Sequence, residues 1–127
     1  MHKQDKKKIL AVVDDLLFTV KISDAAKRVG LDAEFLKSEH DVVEKAKHEK
    51  PLLIILDLNA NSVQPLKLIE TLKGNGELKQ ISLIGYLSHV QGELKQKAQE
   101  AGANIVMARS AFSQNLQQIL KRHAGVH

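Results

Sequence analysis

The sequence predicts an α/β fold, a doubly wound parallel sheet of five strands with five helices on its two faces. Three observations carry that prediction. The first is the stretch Pro51-Leu52-Leu53-Ile54-Ile55-Leu56-Asp57, five apolar residues after a proline, ending on a carboxylate. A short unbroken apolar run suits a strand buried on both faces, as parallel strands under helices are. The second is Lys8-Ile9-Leu10-Ala11-Val12-Val13, a similar run that stops on Asp14-Asp15. The third is that such runs alternate with helical periodicity along the chain, the pattern of successive βα units.

In chain order, Lys8 to Val13 is the first strand. From Leu16 to Val29, Phe18, Ile22, Ala25 and Val29 recur at spacings of four, three and four, one face of a helix, and Gly30 closes it. Ala33 to Lys37 is a second strand. Glu39 to Lys50 is a surface helix with Val42, Val43 and Ala46 on its inner side. The central strand follows, with Pro51 at its start, where a missing N–H costs little. Asn59 to Pro65 is a loop into a helix carrying Leu66, Ile69 and Leu72 or Lys73, and Gly74-Asn75-Gly76 stops it. Ile81 to Leu87 is the fourth strand, with Gly85 allowing close approach of neighbouring backbone. Gln91 to Ala101 is a helix on Leu94, Ala98 and Ala101, closed by Gly102. Ala103 to Ala108 is the fifth strand. Phe112, Leu116, Ile119 and Leu120 give the last helix, ending near Gly125. Right-handed crossovers leave few ways to join these parts.

The 127 residues are read as a single domain over 1–127 with a core of about 8–122. Aromatic residues are 3% of the chain, so the core is expected to be aliphatic and stacking platforms for single-stranded nucleic acid are missing. Cysteine is absent, which excludes disulfides and thiol chemistry. No apolar run approaches the ~20 residues that span a membrane. The opening Lys3 to Lys8 is basic, but Ile9 to Val13 is too short for a signal-peptide core, so the cytoplasm is the expected compartment. The net charge is +4, yet it is spread among acidic residues, and Lys6-Lys7-Lys8 is read as a solvated end rather than a nucleic-acid site.

Two strands end in acid, Asp14 and Asp15 after the first and Asp57 after the third. If those strands are neighbours, three carboxylates converge at the sheet edge where open parallel sheets place their sites. Their mutual repulsion raises their pKa values. A hard divalent cation relieves it. Mg²⁺ needs only one or two carboxylates, waters and a phosphate oxygen. Cationic side chains do part of the same work.

On these residues the chain resembles a response-regulator receiver domain. The resemblance rests on Val12-Val13-Asp14-Asp15, on Pro51 to Asn59, on Ile81 to Ser88 and on Ala101-Gly102-Ala103-Asn104. It implies the flavodoxin-like receiver fold with strand order 2-1-3-4-5. It implies Asp57 as phosphoacceptor, and Asp14, Asp15, Asp57 and the backbone carbonyl of Asn59 around Mg²⁺. A histidine kinase, a phosphotransfer protein or a small phosphodonor would supply the phosphoryl group. No catalytic residues of an enzyme are expected.

Four positions depart from the family pattern. Its hydroxyl at the end of the fourth strand falls on Leu87, with Ser88 next door as the substitute if the register shifts by one. Its lysine after the fifth strand is Arg109, which either reads phosphate or pairs with Asp57 as a bidentate fork. The proline after it is Ser110. Its mobile aromatic falls on Val106. The chain is therefore read as an atypical receiver in a phosphorelay, or alternatively as a phosphorylation-independent interaction module whose acids are held by Arg109 and by backbone N–H groups. A flavin or nucleotide binder is disfavoured by the missing phosphate loop. His2, His40, His48, His89, His123 and His127 have no metal-ligand spacing, and His89, in the loop beside the presumed site, is read as a solvent-exposed residue rather than a contact there. The resemblance implies a partner surface on the face made by Gln91 to Lys97, Val106 to Ser110 and Ser113 to Lys121. It looks polar, so a monomer or weak homodimer is expected.

Overall fold

The computed structural model describes residues 7–88 and 92–125. His2, Lys3, Lys6, His89, Gln91 and His127, named above, lie outside the described residues. The elements are β1 (Lys7–Val12), α1 (Leu16–Arg28), β2 (Leu31–Phe35), α2 (Glu39–Glu49), β3 (Leu53–Asp57), α3 (Pro65–Lys73), β4 (Ser82–Leu87), α4 (Gly92–Ala101), β5 (Ile105–Ala108) and α5 (Arg109–Ala124). All strand pairs are parallel, and the order is β2-β1-β3-β4-β5. This is the predicted alternation and the predicted order.

Boundaries shift where backbone pairing outweighs composition. Pro51 stands two residues before β3, and Leu52 N–H donates to Lys8 O at 2.9 Å as the lead-in. β2 starts earlier than expected, because Leu31 pairs with Lys7 and buries its side chain. α5 starts earlier too, at Arg109, directly after β5. Gly30 has φ +77 just past α1, the left-handed conformation its closing role requires.

The sheet divides the core in two, and the expected aliphatic composition holds on one face only, since the other also buries Phe18, Tyr86 and Phe112. One cluster joins Leu10, Val12, Ile54, Leu56, Leu83 and Leu87 of the strands to α2, α3 and α4 through Val42, Leu68, Leu72 and Ala98. The other joins Ile9, Ala11, Ile55, Ile84 and Tyr86 to α1 and α5 through Phe18, Ile22, Phe112 and Leu116. The alternation along each strand therefore assigns every position to a face. Gly85 meets the side chain of Leu58, which lies 3.1 Å from where a Cβ would stand, rather than a neighbouring backbone.

At the far end of β4 and β5, Lys73 donates to Lys79 O (3.1 Å), Ile81 O (2.8 Å) and Asn104 Oδ1 (2.8 Å). Its stem packs against Gly102, and burial pushes its ammonium pKa down. This tie fixes the loops below the sheet and leaves the opposite edge to chemistry.

Candidate functional site

Order 2-1-3-4-5 places β1 beside β3, so the loops after these strands diverge to opposite faces and leave a crevice between them. Asp57 ends β3 at this edge, and Asp14 and Asp15 follow β1. The sequence brought these acids to one end of the sheet, and the structure agrees. What each acid touches was not foreseen in detail.

Asp15 is the N-cap of α1: its Oδ1 accepts the Leu17 N–H at 2.8 Å. A carboxylate there satisfies an orphan donor and complements the helix dipole. Its other oxygen pairs with the Arg109 guanidinium. Arg109 is the first residue of α5, where a cation meets the unfavourable end of the dipole. The ion pair offsets that cost and pins the two helix starts together. The guanidinium also lies over the Phe18 ring, 4.5 Å from its centroid. Arg109 thus pairs with Asp15, in place of the bidentate pairing with Asp57 considered from sequence.

Asp14 is held by the loop after β3. Its Oδ2 accepts Asn61 N–H at 2.7 Å, and its Oδ1 accepts the Ser62 hydroxyl at 2.9 Å. Lys37, just past β2, stands 3.7 Å from Oδ1 and donates to Val13 O. The Asn61 N–H leads in pulling the Asp14 carboxyl below its usual range, with Ser62 and Lys37 helping against some desolvation.

Asp57 differs. No ion pair forms to it among the described residues. Its Oδ1 accepts Asn59 N–H at 2.9 Å. Burial is the main cause that pushes its carboxyl above the ordinary range; the Asp14 charge adds to that, and hydrogen bonding from the Asn59 and Asp14 N–H groups opposes it. Asn59 also holds the next strand: its Oδ1 accepts Ser88 N–H at 2.8 Å. Among the described residues no three Asp, Glu or His side chains form a group that could hold a metal ion.

Leu87 is buried with Leu58 and Val106 on the α2–α3–α4 face. The alternation along β3 assigns Asp57 to the other face, with Leu53 and Ile55. Ser88 is exposed, one residue past β4, and its backbone is tied into the site by Asn59. Ser110 lies in the first turn of α5.

The sequence reading missed an aromatic stack. Tyr86, the register partner of Asp57, stacks on Phe112 (centroids 4.8 Å, 10° between planes) and on Phe18 (5.1 Å, 28°). Scarcity hid it: aromatics are few in the chain, but Phe18, Tyr86 and Phe112 each occupy the inward position nearest the carboxyl end of the sheet. The sequence reading also singled out no exposed apolar side chains, and the structure shows a group of them. Leu16, Leu17 and Val20 are 77%, 60% and 50% exposed at the start of α1, beside Asp15, whereas the described residues of the expected partner face show no large exposed apolar side chain. No described helix is long and apolar enough to cross a membrane.

No protein-family model matches the sequence, and no curated protein does. Solved structures do match. A response regulator from Hahella chejuensis superposes with TM-score 0.81 at 18% identity, over 92% of this chain and 94% of that one. The phosphorylated cyanobacterial phytochrome response regulator RcpA gives 0.76 at 21%, over 93% and 91%. The receiver domain of a sensor histidine kinase from Pseudomonas aeruginosa, with a magnesium ion coordinated in its active-site cleft, gives 0.79 at 19%, over 95% and 99%. At these identities the likeness is one of fold. The chain has the fold of the response-regulator receiver domains.

Proposed function

We propose that the chain is a signal-transduction module of the receiver type in which Asp57 accepts a phosphoryl group. One observation carries this reading. Of the three acids at the crevice, Asp14 and Asp15 are each paired with a cation, and Asp57 is the one with no ion pair among the described residues. A carboxylate so placed is a competent nucleophile. Its oxygen attacks phosphorus in a phosphohistidine or acetyl phosphate. The P–N or P–O bond breaks, and the donor leaves as imidazole, protonated from solvent, or as acetate. Lys37 and Arg109, paired with the neighbouring Asp14 and Asp15, are the cations the crevice offers to the developing charge.

Magnesium is implied by the fold family. The residues as arranged do not fit it: Asp15 is spent on α1 and Arg109, and Asp14 on Asn61, Ser62 and Lys37. No step is therefore derived through the metal. The donor protein is a histidine kinase or phosphotransfer protein, and the apolar start of α1 beside the crevice is the surface offered to it.

The same closed arrangement favours a second reading, a module that binds its partner without phosphate. Treatment with acetyl phosphate separates the two. Intact-mass measurement is expected to show a phosphoryl adduct on the wild type and none on Asp57→Asn. A wild-type chain that stays unmodified under forcing conditions overturns the acceptor reading, and partner binding unchanged by Asp57→Asn supports the second.

A further inference from the structure

Tyr86 Oη is buried and has no hydrogen-bond partner among the described residues. The residue as a whole is 2% exposed. A buried hydroxyl is nearly always paired, so one left unpaired at a sheet edge asks for a function. Tyr86 does not stand far from the chemistry. It is the register partner of Asp57 on the neighbouring parallel strand, and Leu58 N–H donates to its carbonyl at 2.8 Å. Tyr86 belongs to the α1–α5 cluster with Leu53 and Ile55, and the alternation along β3 assigns Asp57 to the same face. The charges of Asp57 and Asp14 reach the phenol: after burial, they are the causes that push its pKa up, so it remains a neutral donor.

The ring is also coupled outward. It stacks on Phe112 of α5 and Phe18 of α1, and Phe18 carries the Arg109 guanidinium that pairs with Asp15. On the opposite face Leu87 and Val106 are aliphatic and buried, so neither can donate a hydrogen bond.

Building on the phosphoryl-acceptor reading, we propose that Tyr86 is the hydroxyl that reads the state of Asp57. It donates its O–H to an anionic oxygen of the group carried there. A phosphoryl group adds acceptor oxygens beyond the carboxylate, on the face to which the phenol belongs. Movement of the ring toward that acceptor shifts its stacking on Phe18 and Phe112, and through Phe18 the seat of Arg109. The readout thus runs through α1 and α5 instead of through the fourth and fifth strands' other face.

The chain has one tyrosine and no tryptophan, so its near-ultraviolet tyrosine absorbance reports on Tyr86 alone. Beryllofluoride, a non-covalent phosphoryl mimic, is titrated into wild type, Asp57→Asn and Tyr86→Phe. Binding is followed by NMR at the Asn59 and Ala60 amides. Tyr86→Phe keeps the stacked ring and removes only the hydroxyl. The wild type is expected to bind with a shift in tyrosine absorbance, and Asp57→Asn to do neither. Tyr86→Phe is expected to bind at least about tenfold more weakly, the loss of one hydrogen bond to a charged group. Equal affinity of Tyr86→Phe and wild type, with the wild type's tyrosine absorbance unmoved on binding, overturns the role of Tyr86 and leaves Asp57 as acceptor. If the wild type neither binds beryllofluoride nor takes phosphate from acetyl phosphate, the acceptor reading fails and this proposal falls with it.

Discussion

Asp57 is an acid held in discomfort. Burial and the Asp14 charge raise its folded pKa, so the unfolded chain releases that proton at lower pH than the folded one. Between the ordinary carboxylate range and the raised value the folded state binds more protons, and stability falls as pH climbs through that window. Asp57→Asn is therefore expected to unfold at a higher temperature than wild type at neutral pH. The gap closes in acid, where Asp57 is protonated. Thermal melts across pH check both parts. Asp15 supplies a second test. Millimolar Mg²⁺ should leave the wild-type amides around Asp14 and Asp15 unshifted, and Arg109→Gln should release Asp15 and allow Mg²⁺-dependent shifts there in NMR. The three acids were legible from the sequence because strand-ending carboxylates stand out against apolar runs. Their partners were not. Arg109 reaches Asp15 only because α5 starts at once after β5 and packs beside α1, a tertiary fact no local pattern carries.

The helices show the same division. For α1 the four-three-four spacing identified the buried face, and Phe18, Ile22 and Ala25 are buried. The pattern said nothing of Leu16, Leu17 and Val20, which are apolar and outside it. Such residues gathered beside a crevice mark a contact surface better than scattered ones do. Val20→Glu should slow phosphoryl transfer from a protein donor about tenfold relative to labelling by acetyl phosphate, the loss of one buried interface contact. Equal slowing with both donors would place the effect in the site instead. In β4 the alternation decided more than the alignment did. Leu87 belongs to the α2–α3–α4 cluster, so a hydroxyl installed there lies on the face away from Asp57. Leu87→Thr is expected to cost about 1–3 kcal/mol in denaturant unfolding, through lost apolar burial and a hydroxyl left without a partner.

The molecule as a whole is a parallel sheet between two apolar layers, and its topology brings β1 beside β3. That adjacency turns two separate acidic strand ends into one crevice. It was readable early because buried parallel strands write continuous apolar runs, which survive in a chain only about a fifth identical to its structural neighbours. The aromatic stack under the crevice was not readable, because its three rings come from α1, β4 and α5 and meet only in three dimensions. Both features converge on Asp57, so its reactivity decides the account. Wild type and Asp57→Asn are incubated with acetyl phosphate, and the intact masses are compared. A phosphoryl adduct on the wild type alone is the predicted result. No adduct on the wild type, or an equal adduct on both, contradicts the claim that Asp57 accepts phosphate.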